Sequence, residues 1–482
     1  MSNPLRTLAK NTVAVFVSNI INIGFGVLLL SIVSRYLGAK GGSNYFFLVA
    51  IAEMLKLIAD FGVEGIITRE VARNRDRAEE LMDAALSLRL IIVGVAFLVE
   101  MCVVLALGMP LMFILALAIA TASQLFASTA MLFISVYKGF EKMEYETLLA
   151  VVLRGISILL LIIVAKFDLG FVAIFASLSV SQLIRMVVGL IIIHRKFTRV
   201  RLKLAKNIWA KLLGESYPLG LSAFFLMASF NMPVFMIKSI GKAEDVSLFS
   251  LPHTVVLQLV IVSSATVVAI FPVFSRLALS SIDALKVAFD KSFKLLFSLG
   301  LLFFILIVKY APPIVLAIGG SEFEASGAAL RILGCAIPFL FLVQLTHYLL
   351  ISADRQGYVL ASLILCFSLN LCLDIITVPR WGYIGASWSM LASYALLCVV
   401  SLVFARAKVV AVDCVQLIRP LLAAVPAGLL LLYAGDGLGW GAVAVAAFLA
   451  AACLLRAFTL EDVRLLGEAL AHPPRGGEGG GA

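Results

Sequence analysis

The chain has 482 residues, of which 62% are hydrophobic and only 14% charged, with a mean hydropathy of +1.10. Soluble globular chains are about 45–50% apolar and about 25% charged, so this composition excludes a soluble multidomain protein. The net charge of +10 would point to nucleic acid in a soluble chain, and only its placement decides its meaning here.

Met1 to Lys10 runs directly into the first apolar stretch with no small-residue cleavage site, so no cleavable signal is expected. A helix needs ~20 apolar residues to cross ~30 Å of hydrocarbon. Stretches of that kind are expected at 11–34, 44–66, 84–107, 111–136, 148–165, 170–193, 216–237, 247–273, 292–308, 328–352, 358–378, 382–404, 415–433 and 440–457. The segments between them carry Lys and Arg mainly on alternate sides. Arg69, Arg73, Arg75 and Arg77, then Lys138 and Lys142, then the run from Arg195 to Lys211, lie on one side. The opposite loops hold only Arg35, Lys40, Lys166, Lys238, Lys242, Lys309 and Arg380. By the positive-inside rule this is a polytopic protein of a cytoplasmic (inner) membrane with both termini cytoplasmic. The run from Arg195 to Lys211 reads as a topology anchor rather than a nucleic-acid site. The seven cysteines lie in or beside apolar segments without CxxC pairs, so they read as small core residues, and no metal site is expected. The tail at 471–482, with two prolines and a glycine run, is expected to be disordered.

Internal repetition follows. Leu37-Gly38 before Tyr45-Phe46 recurs as Ile240-Gly241 before Leu248-Phe249. Phe140-Glu141-Lys142 recurs as Ala353-Asp354-Arg355, and Leu169-Gly170-Phe171 as Trp381-Gly382-Tyr383, all at offsets of 203 to 213. An even number of spans separates the copies, which gives two parallel lobes, as in transporters built from parallel repeats. The expected organisation is an N-lobe at 1–193, a basic linker at 194–215, a C-lobe at 216–404, two extra spans with a cytoplasmic end at 405–470, and the tail.

Leu8-Ala9-Lys10-Asn11, Arg35-Tyr36-Leu37-Gly38, and Asp60-Phe61-Gly62 leading to Thr68-Arg69-Glu70-Val71-Ala72-Arg73 resemble the amino-terminal signature of the polysaccharide biosynthesis flippases. These are the Wzx-type members of the multidrug/oligosaccharidyl-lipid/polysaccharide (MOP) exporter superfamily, and the arrangement of six plus six spans with two more at the end is similar. The resemblance implies an all-α, V-shaped, MATE-like transporter. Its substrate would be a polyprenyl-diphosphate-linked oligosaccharide, such as a repeat unit of O-antigen lipopolysaccharide, capsule or exopolysaccharide, turned from the cytoplasmic to the outer leaflet. A coupling cation, proton or sodium, and a polysaccharide polymerase are the implied partners; no cofactor is implied.

Charges at membrane depth usually face a partner or a wet cavity. Glu53, Lys56, Asp60 and Glu64 fall within an arc of about 80° if 44–66 is one helix, which reads either as cavity lining or as internal ion pairs. Arg89, Arg154 and Arg185 each sit about 9 to 12 Å inside the basic end of their spans. Arginine matches phosphate in a bidentate fork, so these three with Lys56 are the candidate diphosphate cations, against the alternative that they snorkel to headgroups. Glu100 returns to the face of Arg89 nearer the other side, as a coupling carboxylate or a rim residue. Asp374, which shares a face with Asn370, is the best coupling carboxylate of the second lobe, against the equal alternative of a solvated position near the outer end, and His253 and His347 read mainly as hydrogen-bonded structural residues. Pro218, Pro233, Pro252, Pro272 and Pro338 are expected to break or bend helices. No nucleophile elbow, P-loop or metal-spaced cluster is present and the outer loops are short, so the chain is not expected to be an enzyme. The alternatives within the superfamily are a cation-coupled multidrug antiporter and a peptidoglycan-precursor flippase. Drug exporters commonly carry an acidic residue in the first helix, where this chain has Ser18, Asn19 and Asn22.

Overall fold

In hydrocarbon every backbone N–H and C=O must be satisfied within its own segment, which leaves long apolar stretches the helix. Among the described residues every regular element of the computed structural model is helical. Those residues are 4–455 except Phe61, Leu107, Glu141, Met143, Arg199, Leu202, Leu204, Ala205, Val412, Ala434, Asp436 and Leu438, with only the backbone of 4–20 and of a few scattered helical positions. The expected tail at 471–482 and the end of the 405–470 region lie outside them.

In chain order the helices are α1 (Pro4–Asp60), α2 (Val63–Arg73), α3 (Ala78–Ala106), α4 (Leu111–Gly139), α5 (Glu144–Lys166), α6 (Phe171–Lys196), α7 (Lys206–Ile240), α8 (Asp245–Ser280), α9 (Ile282–Gly319), α10 (Ser326–Gly334), α11 (Ile337–Ser352), α12 (Gln356–Lys408), α13 (Ile418–Tyr433) and α14 (Gly439–Leu454). By length and composition, nine described segments suffice to cross a membrane, or ten if α10 and α11, bent by 44°, form one span. The bend is followed by Pro338 in the first turn of α11, as a proline that lacks a backbone donor favours.

Two of the helices each contain a pair of the expected spans, because each folds back on itself at one glycine. In α1 that residue is Gly38, at φ 64°. The first arm runs beside α5 in the same direction: Arg154 Nη1 donates to the Asn22 carbonyl at 3.0 Å and Tyr36 Oη to Asp168 at 2.8 Å. The second arm runs with α4, where Phe47 meets Phe113 at 6.3 Å and Ser128 Oγ donates to Asp60 at 2.5 Å. Since α4 and α5 run oppositely about a short turn, so do the two arms. In α12 the turn is Gly382, at φ 55°, and its arms pair antiparallel through Cys366 with Ser393, Asn370 with Met390 and Thr377 with Ser389. Left-handed φ strains any residue with a Cβ, so glycine is needed here, and a Cβ would also displace the Asp245 carboxylate.

The repeats read from the sequence carry matching local geometry. After α4, Lys142 N donates to Tyr137 O at 2.9 Å; after α11, Arg355 N donates to Leu350 O at 2.8 Å. Gly170 and Gly382 both have positive φ, and so do Gly108 and Gly320 at the intervening turns. Gly241 departs from its counterpart Gly38: it lacks positive φ and is instead crowded by the Ile237 carbonyl.

The two ends of the bundle are tied differently. At the end away from the basic loops, Arg35 donates to the last carbonyls of α9, Ala317 O at 2.6 Å and Ile318 O at 3.2 Å, where a cation also meets the negative helix terminus. Nearby, Ala39 N donates to Glu322 at 2.8 Å, Ser247 Oγ to Ala39 O at 2.6 Å and Lys238 to Asn44 at 2.9 Å. At the basic end the linker is docked on the start of α3: Arg201 N donates to Asp83 at 2.5 Å, Ser87 Oγ to Lys203 O at 2.9 Å, and the Trp209 indole to Ala84 O at 2.9 Å. The basic run is therefore also a packed strap, held through its backbone at Arg201 and Lys203 and through the Trp209 side chain.

Candidate functional site

A cavity of about 730 Å³ opens beside the first arm of α1, between α4, α5 and α6, with Val268 of α8 on its far wall. Along α5 it extends from Glu146 to Ile158, about 18 Å into the bundle from the basic end. Its cations are Lys138 from the last turn of α4, Arg154 from α5 and Arg185 from α6. Its one lining carboxylate, Glu146, pairs with Lys138 at 3.0 Å across the α4–α5 turn. Among the described residues neither Arg154 nor Arg185 makes an ion pair: Arg154 donates to the Asn22 carbonyl, and the partner of Arg185 is Met131 Sδ at 3.4 Å. The rest of the wall is apolar, with Phe25, Leu29, Leu149, Leu153 and Leu178, and two carboxamides, Asn22 and Gln182. Two guanidiniums held in a largely apolar wall without an ion-pair partner among the described residues make a site for an anion, and their five-donor forks fit phosphate oxygens.

The other sequence candidates are placed elsewhere. Arg89 does not line this cavity. It is buried at 2% exposure and faces Asp60 at 3.0 Å and Glu64 at 3.6 Å, with Ser128 O as its further acceptor. Three charges inside a low-dielectric bundle are tolerable only with such mutual pairing, so this cluster spends its charge internally. Nor does the stripe of Glu53, Lys56, Asp60 and Glu64 share one helix face, because α1 ends at Asp60 and Gly62, at φ 77°, redirects the chain before Glu64. Asp60 and Glu64 turn to Arg89, Lys56 packs in a small void with Phe97, Thr121 and Leu125, and Glu53 remains accessible beside Asn231 of α7. Glu100 accepts from Thr121 at 2.9 Å and 3.0 Å.

In α12, Asp374 and Asn370, one turn apart, are both fully buried, and Ser389 stands beside the Asp374 carboxyl. His253 meets the Tyr394 hydroxyl at 3.2 Å, and His347 meets Ser401 at 3.0 Å and Ser362 at 3.3 Å, so both imidazoles are held in the core by hydrogen bonds.

The family signature is absorbed into this framework. Asp60 and Gly62 build and orient the Arg89 cluster, Arg35 ties the far end, and Thr68 donates to Ser135 O at 3.1 Å to seat α2 on α4. The sequence reading missed Lys138 and Glu146 as a cavity pair, having counted Lys138 with the topology charges. The retrievable signal was their position on either side of the short connection between α4 and α5, which brings them face to face. Gln182, at i−3 from Arg185 on α6, was legible by helical spacing.

In the solved structures the arrangement recurs at low sequence identity, which carries the fold alone. A lipid II flippase MurJ in an inward closed conformation aligns at TM-score 0.73 and 11% identity over 95% of this chain and 100% of its own. An inward-facing multidrug resistance MATE family transporter of the MOP superfamily aligns at 0.62 and 16% identity over 81% and 94%. A MOP superfamily transporter from Pyrococcus furiosus aligns at 0.59 and 14% identity over 85% and 96%. No individual curated protein sequence matches the chain. The model of the polysaccharide biosynthesis protein family matches residues 8–278, more than half of the length, and the chain belongs to that family.

Proposed function

We propose that the protein is a flippase that carries a polyprenyl-diphosphate-linked oligosaccharide from the cytoplasmic to the outer leaflet of an inner membrane, where a polysaccharide polymerase takes it up. The observation that carries this reading is the pair of guanidiniums, Arg154 and Arg185, without carboxylate partners in a cavity that reaches the basic end. With the basic loops cytoplasmic, the cavity receives the headgroup from the cytoplasm while the Arg35 contacts keep the far end shut. The diphosphate would bridge the two arginines, replacing its lost hydration with charge-assisted hydrogen bonds, while the prenyl chain stays in lipid. The lobes would be 1–193 and 216–404, linked by 194–215, with 405–470 as an appended helical pair. Buried Asp374 is the proposed coupling carboxylate for a proton or sodium ion, because a fully buried acid one turn from Asn370 changes its surroundings whenever the α12 hairpin moves.

Replacing Arg154 and Arg185 together with Ala should abolish surface polysaccharide in a strain that depends on this chain, with normal protein abundance. Lysine replacements should restore it only in part, because Lys supplies a point charge without the planar fork. Normal export by the double alanine variant would defeat the reading. A second reading, peptidoglycan-precursor transport, is consistent with the likeness of fold to the lipid II flippase MurJ. It predicts that the chain sustains growth when a cell's own precursor flippase is depleted. The multidrug antiporter has only the likeness of fold in its favour.

A further inference from the structure

The cavity wall holds hydrogen-bonding groups that no described residue uses. Of its neutral polar side chains, the hydroxyls are already engaged: Ser157 donates to Leu153 O at 2.9 Å and Ser181 to Ser177 O at 3.0 Å, each within its own helix. The carboxamides are not. Asn22 Oδ1 and Gln182 Oε1 are buried without a partner, and so is Arg185 Nε on the same wall. More than about 90% of buried polar groups in proteins are paired, so three orphans converging on one cavity mark the place of a ligand.

Their arrangement indicates which ligand. Asn22 is one hydrogen bond from Arg154, whose Nη1 donates to its carbonyl, and Gln182 lies one helical turn before Arg185. Each guanidinium therefore has a carboxamide beside it. A guanidinium only donates and selects oxyanions, whereas a carboxamide both accepts and donates, and matches the hydroxyl and acetamido groups of a sugar ring. A cavity of 730 Å³ lies in the ~300–1,000 Å³ range that encloses a compact ligand, enough for a diphosphate and the sugar bonded to it. A site that hydrogen-bonds a substrate hydroxyl discriminates strongly against the analogue lacking it, because its own groups are then left unpaired.

We propose that Asn22 and Gln182 recognise the sugar attached directly to the diphosphate and so set which glycosyl diphosphate the transporter accepts. This rests on the reading that Arg154 and Arg185 hold the diphosphate. The sugars further out are not read by this pair.

The test measures binding to the purified full-length chain in lipid nanodiscs, with farnesyl diphosphate and its glucosyl, galactosyl and N-acetylglucosaminyl derivatives as probes. In the unaltered chain at least one glycosyl derivative should bind about ten-fold more tightly than farnesyl diphosphate. Asn22→Ala and Gln182→Ala should each remove most of that increment while farnesyl diphosphate binds as before, with melting temperatures unchanged. The isosteric Asn22→Asp and Gln182→Glu should reorder the preference among the three sugars. Equal binding of all four probes to the unaltered chain, or alanine variants that weaken every probe alike or none, would overturn the proposal and leave the carboxamides solvated by cavity water. Failure of the diphosphate reading looks different: farnesyl diphosphate would bind equally well to the variant lacking both arginines, or not at all to the unaltered chain.

Discussion

Arg89, Arg154 and Arg185 look equivalent along the chain, each an arginine at a similar depth of an apolar span, and the structure gives them opposite circumstances. Arg89 is enclosed by two carboxylates, whereas Arg154 and Arg185 stand in a cavity whose lining carboxylate, Glu146, is paired with Lys138. Removing one member of a buried ion pair leaves the remaining charges uncompensated and typically costs about 3–5 kcal/mol. Arg89→Ala should therefore lower the melting temperature and the amount of folded protein in the membrane, with transport falling in proportion to abundance. A variant that melts normally but fails to transport would return Arg89 to the substrate path. Helical spacing could not separate these cases, because it gives the face a residue occupies on its own helix and not the neighbour on that face. Here the neighbour of Arg89 is fixed by Gly62, whose left-handed turn brings Glu64 round beside Asp60.

At the scale of elements, the turns far from the basic loops carry the most specific instructions in the sequence. The segment Arg35 to Gly38 reverses the chain within one residue and also reaches two other elements: Arg35 the last turn of α9, and Tyr36 both Asp168 and the Gly170 amide. Because Arg35 satisfies carbonyls that the end of α9 cannot pair internally, it joins the first arm of α1 to α9 and helps close that end of the bundle. Arg35→Ala should loosen this closure. With a single reporter cysteine at position 157 in a cysteine-free background, a membrane-impermeant thiol reagent added on the outer side should react faster in the Arg35→Ala variant. Unchanged outer-side labelling would mean that the remaining contacts, Glu322 with Ala39 and Ser247 with Ala39, suffice to hold the end closed. The boundaries of these elements were only partly legible. The spans at 11–34 and 44–66 were expected as helices joined by a loop, but helical hydrogen bonding continues to both sides of Gly38, and the same holds at Gly382. A glycine that takes φ above zero needs no loop, and its presence in sequence does not announce whether it will do so, as Gly241 illustrates by keeping negative φ at the position matching Gly38.

For the whole molecule, the uneven placement of lysine and arginine predicts orientation. A cysteine at position 203, on the docked strap, should react with an impermeant reagent only from the cytoplasmic side, and one at position 242, exposed between α7 and α8, only from outside. Reactivity of both from the same side would break the parallel arrangement of the two halves. By itself the sequence determined that this is a helical membrane protein, roughly where its apolar stretches lie, which of its turns recur, and to which family it belongs. Those features follow from local physics: hydrocarbon forces helices of a certain length, anionic lipid and the insertion machinery sort cations to one side, and duplicated turns keep their glycines and end caps. Only the tertiary structure decided which charges face one another. It joined Lys138 to Glu146, enclosed Arg89, left Arg154 and Arg185 without counter-ions, and placed Asn22 from one end of the lobe beside them. The energy of a charge in a low-dielectric interior depends on partners within a few ångströms, and those partners come from different helices, which no spacing along a single helix records.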